Sequence, residues 1–165
     1  MIAAVVLAAG AATRFGAPKQ ELLLPRVLAR LAASPVDEIV VVGGAHPLQA
    51  EGARVVEAPE WELGPGASLR AGLAELGPDV EAAVVCLADG PNLAPEAVGR
   101  VLEAWRAGAA SVVTASYAGA RGHPLVLGRA AWSSVPDEGM RALPAVLVPC
   151  DDLGAPGDVD TREDL

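Results

Sequence analysis

The sequence predicts an α/β sandwich of three layers, with helices on both faces of a mostly parallel sheet. Short apolar runs rich in β-branched residues recur along the chain, and stretches with apolar residues at helical spacing lie between them. Such alternation is typical of a parallel sheet whose strands are joined by helices. The length of 165 residues suits a single domain that spans residues 1–165.

The individual elements follow from these patterns. The predicted strands are residues 2–7, 38–42, 54–56, 82–87, 111–115, 124–127 and 145–148. The predicted helices are residues 25–33, 67–76 and 95–107. Ligands of open α/β sheets bind beyond the carboxyl ends of the strands. The chemistry is therefore expected in the loops after the first, second, fourth and fifth strands, with the first strand central in the sheet.

Composition and charge exclude several classes of protein. A hydrophobic share of 52% excludes a disordered chain, and a net charge of −9 without clustered Lys or Arg argues against a nucleic-acid groove. No apolar run approaches the roughly 20 residues that span a bilayer, and the apolar N-terminus has no basic leader. Cys86 and Cys150 form no CxxC pair, so we expect reduced thiols. These features predict a cytoplasmic protein that binds neither membrane nor nucleic acid.

The segment after the first predicted strand has the residues expected around a triphosphate. Residues 7–19 read L-A-A-G-A-A-T-R-F-G-A-P-K, with glycines and lysine wrongly spaced for a G-x-G-x-x-G motif or a Walker loop. Small residues at positions 8–10 let a ligand approach the backbone N–H groups. Arg14 offers a planar fork for phosphate oxygens, and Lys19 adds a compact charge. The alternative is an ordinary polar loop with two solvated cations.

Two further segments follow predicted strands. Ser68 falls in the first turn of a predicted helix after G-P-G-A, where its hydroxyl can face a ligand or cap the helix. Asp89 ends the predicted fourth strand in L-A-D-G-P, where a carboxylate can ligate Mg²⁺ together with phosphate oxygens. A helix cap or turn is the alternative role for Asp89.

The C-terminal third holds three more motifs. Residues 121–124 read R-G-H-P, residues 137–143 read D-E-G-M-R-A-L, and the chain ends in D-V-D-T-R-E-D-L. His123 precedes a proline, a position where a structural role is commoner than a catalytic one, and His46 has less support still. Asp137 suits the N-cap of a predicted helix. Taken alone, the last segment is typical of an acidic, solvated tail.

In order, these segments resemble the signatures of the molybdenum cofactor nucleotidyltransferase family, which includes cytidylyltransferases and guanylyltransferases. The resemblance spans essentially the whole chain and implies the Rossmann-like nucleotide-diphospho-sugar transferase fold. It implies catalytic roles for Arg14, Lys19 and Asp89, and a metal site at Asp89 and Asp160. The nucleotide-binding residues that it implies are Leu7, Ala8, Ala9, Gly10, Arg14, Lys19 and Ser68. The acceptor-binding residues that it implies are Arg121, Gly122, His123 and Asp137.

The implied reaction is Mg²⁺-dependent transfer of a nucleoside monophosphate from a nucleoside triphosphate to a phosphorylated acceptor, with molybdopterin cofactor as the family's substrate. L-A-A-G resembles cytidylyltransferases and L-A-G-G resembles guanylyltransferases, so Ala9 favours CTP over GTP. The family also implies transient contact with molybdoenzymes or cofactor chaperones. An attacking phosphate is already ionised at neutral pH, so no general base is required.

The chain departs from the family pattern in three places. A G-x-P-L-type turn is missing before the first predicted helix, residues 43–54 are too few for a full helix, and residues 117–127 are trimmed. Gly90 also replaces the larger residue usual after the aspartate. These cuts leave two other functions open: a degenerate homologue that binds nucleotide or pterin, and a transferase acting on another phosphorylated small molecule. A Rossmann oxidoreductase is a further alternative, and the lack of a G-x-G-x-x-G motif after the first strand argues against it.

Overall fold

The computed structural model describes residues 1–9, 19–44, 48–108 and 110–157, and for residues 19–21 the backbone alone. Seven strands form one sheet in the order β3-β2-β1-β4-β6-β5-β7. The strands are β1 (Ile2–Leu7), β2 (Glu38–Gly43), β3 (Arg54–Glu57), β4 (Ala82–Leu87), β5 (Val112–Tyr117), β6 (Ala120–Gly128) and β7 (Val146–Pro149). The helices are α1 (Lys19–Ala32), α2 (Pro65–Ala74) and α3 (Pro95–Arg106). β1 is third of the seven strands, beside the middle strand β4, so the expectation of an interior first strand is met.

The side-chain alternation of the strands builds two cores, one on each face of the sheet. In β1, Ala4 and Val6 pack with α1 and α3, whereas Ala3 and Val5 pack with α2. All four side chains are fully buried, as in a sheet covered on both faces. The predicted three-layer sandwich is therefore confirmed.

One strand departs from the parallel pattern. β6 pairs antiparallel with both β4 and β5. A tight turn at Ala118 and Gly119, with φ angles of 52° and 81°, joins β5 to β6 and reverses the direction of the chain. Two successive positive φ angles give the hairpin turn that matches the twist of the flanking strands. Asp151 accepts a hydrogen bond from the Ala118 N–H, which helps hold a non-glycine residue in this conformation. β6 therefore begins at Ala120, four residues before the predicted start.

The first helix also begins earlier than predicted. α1 starts at Lys19 and carries Pro25 inside it, whereas the sequence suggested a start at the proline. A proline within a helix costs one backbone hydrogen bond. Leu24, Val27 and Leu31 are fully buried against the sheet, and their burial offsets that cost.

The connection from β2 to β3 contains no helix within its described residues, as the short sequence between them predicted. β3 nevertheless pairs parallel with β2, from Val40 opposite Arg54 to Gly43 opposite Glu57. No described helix combines the length and apolar character needed to cross a bilayer.

We expect Gly72→Ala to destabilise the fold by about 1–3 kcal/mol through overpacking. A Cβ at Gly72 would lie 2.7 Å from Val42 Cγ2 and 2.9 Å from Val5 Cγ1, in the closest contact between α2 and the sheet. Gly99→Ala in α3 is the matched control, because a Cβ there meets nothing within 4 Å. Helix propensity alone should stabilise that control by up to about 1 kcal/mol. Urea denaturation of both variants tests this, and equal stabilisation of the two would contradict the packing described for α2.

Candidate active site

The two loops that the sequence predicts to bind the triphosphate and the metal ion follow β1 and β4, and they begin side by side at one edge of the sheet. β1 and β4 pair in parallel, with Leu7 opposite Leu87. The Ala88 N–H donates to the Leu7 carbonyl at 3.0 Å, and the Ala8 N–H donates to the Val42 carbonyl at 2.8 Å. The parallel register therefore continues past the strand ends and aligns the start of the first loop with Asp89.

A cleft of about 700 Å³ opens at this edge of the sheet. Its walls come from the ends of β1 and β4, the first turns of α2, the hairpin of β5 and β6, and residues 138–141 and 155–157. Most of the lining is apolar, including Leu69, Leu93 and Leu125. The cleft also contains two cations, Arg121 and Arg141. An apolar cavity with a few polar groups is the usual form of a small-molecule site.

The first loop is described only at its start. Leu7 lines the cleft, and Ala8 and Ala9, which follow it, are buried at 5% exposure. Gly10 and Arg14 lie outside the described residues, as does His46. Lys19 begins α1, and its side chain is outside the description. The phosphate contacts predicted for this loop stay predictions.

Ser68 lies in the first turn of α2, as predicted, with 3% of its surface exposed. Gly72, one turn later, packs on Val5 and Val42, so α2 approaches the carboxyl ends of β1 and β2 with its N-terminal end. Pro65 and Leu69, on either side of Ser68 in sequence, line the cleft. No hydrogen bond joins the Ser68 hydroxyl to another described residue, so Ser68 does not cap the helix, and its predicted contact with the nucleotide stays a prediction.

Asp89 is half-buried directly after β4, between Leu87 and Gly90, which both line the cleft. The chain near the C-terminus runs against the same turn: the Asn92 N–H donates to the Pro156 carbonyl at 3.0 Å. A Cβ on Gly90 would meet Pro156 Cβ at 3.1 Å and the Gly157 carbonyl at 3.4 Å. Residues 156–157 thus pack closely on Gly90, at the position where the family pattern has a larger residue.

Asp160 itself lies outside the described residues. Its predicted place beside Asp89 at a metal site therefore stays a prediction. Among the described residues, no group of three or more His, Cys, Asp and Glu side chains could hold a metal ion.

The R-G-H-P segment forms a wall of the cleft at the start of β6, the strand that pairs with β4. The Thr114 hydroxyl donates to the Gly122 carbonyl at 2.7 Å, and the Tyr117 hydroxyl donates to the His123 carbonyl at 2.6 Å. Two side chains of β5 thus hold this backbone in place at the irregular pairing between the two strands. Burial raises the pKa of Tyr117 to about 12, so its hydroxyl remains a donor at neutral pH.

His123 lines the cleft as a neutral imidazole. Burial, with a smaller contribution from the positive charge of Arg141, lowers the pKa of His123 to about 4. Such a group is too weak a base to take up a proton near neutral pH. The arrangement therefore favours a binding or structural role over general-base catalysis.

Cys86 is another buried group in the wall of the cleft. Burial raises the pKa of its thiol to about 12, so it stays protonated and unreactive. Cys86 and Cys150 are both free thiols.

The structure corrects the prediction for Asp137. Its carboxylate pairs with Arg70, and its carbonyl accepts the Gly66 N–H at 2.9 Å. The helix expected to start there is absent from the described chain, which instead forms a short 3₁₀ turn at Met140–Ala142. Gly139, with a φ of 107°, interrupts the segment before that turn. Asp137 therefore joins residues 135–137 to α2, and its predicted contact with the acceptor has no support from this geometry.

Sequence reasoning missed Arg141, which lies in the same motif as Asp137. Its exposed side chain lines the cleft with that of Glu138. The charge of Arg141 in D-E-G-M-R-A-L was the available signal. The sequence does not show which of the two arginines, Arg121 or Arg141, is hydrogen-bonded to the protein, and so it does not show which one can bind a ligand.

The fold and cleft define an α/β protein with a small-molecule cleft at the carboxyl edge of its parallel strands. Residues 4–145 match the model of the MobA-like NTP transferase domain. The chain therefore belongs to the MobA-like NTP transferase family, and it is a nucleotidyltransferase.

Solved structures show the same fold over nearly the entire chain. Rv0371c from Mycobacterium tuberculosis H37Rv is 29% identical, with a TM-score of 0.80, and the match covers 99% of this chain and 95% of that one. A manganese complex of Rv0371c matches with 27% identity and a TM-score of 0.79, over 99% and 95% of the two chains.

A more distant structure shares the fold alone. Molybdopterin-guanine dinucleotide biosynthesis protein A from Archaeoglobus fulgidus is 15% identical with a TM-score of 0.71, covering 98% of this chain and 94% of that one. No curated protein is significantly similar to the chain in sequence.

The lowered pKa of His123 predicts a pH-dependent loss of stability. In the unfolded chain His123 takes up a proton near its ordinary pKa of 6.5, whereas in the folded protein it does so only near 4. Between these values the unfolded state binds more protons, so stability falls as the pH is lowered. We expect the contribution to be about 2–3 kcal/mol.

Urea denaturation of the wild type and His123→Gln at pH 7, 5.5 and 4.5 measures this contribution. The wild type should lose more stability than the variant over the interval. Parallel losses in the two proteins would contradict a buried, neutral His123.

Proposed function

We propose that the chain transfers a nucleoside monophosphate, CMP in preference to GMP, from its triphosphate to a phosphorylated small molecule, with Mg²⁺ and with release of pyrophosphate. The observation that carries the proposal is the parallel register of β1 and β4, which brings the start of the first loop beside Asp89 at the edge of the sheet where the cleft opens. Molybdopterin cofactor is the acceptor that the family resemblance favours.

The nucleotide half of the site would be built on β1. The small residues Ala8 and Ala9, directly after β1, would let a flat base approach the backbone. Ser68, in the first turn of α2, would contact the ribose or the base. Arg14, on the first loop, and Lys19, at the start of α1, would neutralise the β- and γ- or α-phosphates. These contacts would fix the α-phosphorus near the end of β4.

The residues at the end of β4 fit a hard divalent cation. Mg²⁺ is commonly held by one or two carboxylates together with substrate phosphates. Asp89 follows β4 beside the cleft-lining residues Leu87 and Gly90, and the family resemblance adds Asp160 as a second carboxylate. The manganese complex of Rv0371c is consistent with such a site. A bound cation would supply charge neutralisation at the triphosphate and its pyrophosphate leaving group.

The acceptor half would be formed by residues 121–123 and the turn at Met140–Ala142. The phosphate of the acceptor attacks the α-phosphorus in line, a new P–O–P linkage forms, and the bond to pyrophosphate breaks. Neutral His123 takes no proton in this step, since the attacking phosphate is already ionised. Catalysis then consists of positioning and charge stabilisation.

The preference for CTP rests on Ala9, whose methyl group occupies space that glycine would leave for a purine. One methyl group provides only about 1–3 kcal/mol of discrimination, so the preference over GTP should be roughly 10- to 100-fold. Pyrophosphate release with Mg²⁺, molybdopterin cofactor and each of CTP, GTP, ATP and UTP tests both substrate and activity. Equal or faster release with GTP would reverse the base assignment.

Ala9→Gly is the matched variant for this assay. It should narrow the difference between CTP and GTP while leaving the melting temperature within a few degrees. Binding of nucleotide with Mg²⁺ but no pyrophosphate release with any phosphorylated acceptor would identify a binding protein and contradict the proposal.

A further inference from the structure

We propose that Arg141 is the residue that binds the phosphate of the acceptor, and that Arg121 acts through it as a positioning residue. This inference rests on the proposed function, since it assigns contacts on the acceptor side of the same cleft. It replaces the direct contact that the R-G-H-P motif suggested for Arg121.

The Arg121 guanidinium is engaged with the protein backbone. Its Nη1 donates to the Leu143 carbonyl at 2.7 Å, and its Nη2 donates to the Met140 carbonyl at 3.1 Å. These two carbonyls lie on either side of Arg141 in the sequence. The half-buried Arg121 side chain therefore links the start of β6 to the turn that carries Arg141.

The surroundings of the Arg141 side chain differ from those of Arg121. The Arg141 side chain is exposed and lines the cleft, and neither a hydrogen bond nor an ion pair joins its guanidinium to another residue in the described ranges. The positive charge of Arg141 also contributes to the lowered pKa of His123. A guanidinium with its donors available beside an apolar cavity is suited to bidentate contact with a phosphate.

The turn under Arg141 is held from both sides. Met140 is buried at 8% exposure, and the Leu143 N–H donates to the Met140 carbonyl at 3.0 Å. On the other side, Arg70 pairs with Asp137 and donates to the Val135 carbonyl at 2.9 Å. A backbone fixed in this way lowers the entropy lost when Arg141 binds a ligand.

The rest of the wall indicates the class of acceptor. Leu69, Leu93 and Leu125 offer apolar surface, and the Tyr117 ring lies on the same side as His123. Glu138 would repel a second anionic group close to Arg141. The acceptor that fits is a phosphate monoester with an apolar or aromatic body.

Phenyl phosphate has this chemistry and can be tested without nucleotide. We expect calorimetry to show binding to the wild type, and Arg141→Ala to weaken it by about 10- to 100-fold, the loss of a charge-assisted contact. Arg106→Ala is the control, because Arg106 is exposed in the last turn of α3, away from this cleft. That control should change the affinity by less than about twofold. The same comparison in an Arg14→Ala background excludes binding at the triphosphate loop.

The positioning role of Arg121 is tested by a double-mutant cycle. Arg121→Ala should weaken phenyl phosphate binding when Arg141 is present and cost nothing more in the Arg141→Ala protein. Arg121→Gln, which keeps a hydrogen-bond donor without the charge, should retain part of the affinity and serves where Arg121→Ala fails to fold. Losses that add would show that Arg121 contacts the phosphate itself.

The assignment of Arg141 would also be overturned if phenyl phosphate did not bind to the wild type, or if Arg141→Ala and Arg106→Ala weakened its binding equally. The proposed reaction fails by a different result, namely no pyrophosphate release from any triphosphate. Phenyl phosphate binding that depends on Arg141 would stand even then.

Discussion

The parallel pairing of β1 with β4 is the constraint on which the site depends. Because Leu7 and Leu87 are partners, the two chains leave the sheet at the same level and in the same direction. The hydrogen bond from Ala88 to Leu7 carries this alignment one residue beyond the strands. The start of the first loop and Asp89 are thereby placed next to each other at one edge of the sheet.

The C-terminal third closes the cleft by contacts between backbone segments. The hairpin at Ala118 and Gly119 inserts β6 between β4 and β5, so residues 121–123 line the cleft. Two chain segments pack on glycines: residues 156–157 on Gly90, and residues 136–137 on the start of α2. At Gly66 a Cβ would lie 1.6 Å from the Pro136 carbonyl oxygen, so this contact requires glycine, and residues distant in sequence shape the cleft together.

The sequence predicted the layers, the parallel core and the segments that meet at the cleft, because periodicity and order along the chain carry that information. It did not predict the start of α1, since the burial of Leu24 and Val27 overrides the usual tendency of Pro25 to begin a helix. Nor did it predict the hairpin, whose turn contains Ala118 at a position where Asn or Gly is more typical.

The roles of single polar residues were harder to predict than the elements that carry them. Asp137 and Arg121 stood in the expected motifs, yet one binds Arg70 and the other binds the carbonyls beside Arg141. Whether a charged side chain binds the protein or a ligand depends on which acceptors lie within about 3 Å, and these come from distant parts of the chain. Motif spacing alone does not contain that information.

The central claim is that Asp89 serves the triphosphate and its cation rather than the fold. Pyrophosphate release at saturating Mg²⁺, with melting temperatures measured alongside, tests it in Asp89→Asn, Asp160→Asn and the control Asp79→Asn, whose exposed residue precedes the opposite end of β4. We predict that Asp89→Asn loses about 10²-fold or more in turnover with an unchanged or slightly higher melting temperature. Asp160→Asn should lose less, since an amide oxygen can still ligate Mg²⁺, and Asp79→Asn should be unaffected. Near-normal turnover of Asp89→Asn, or a loss explained by unfolding, would contradict the account.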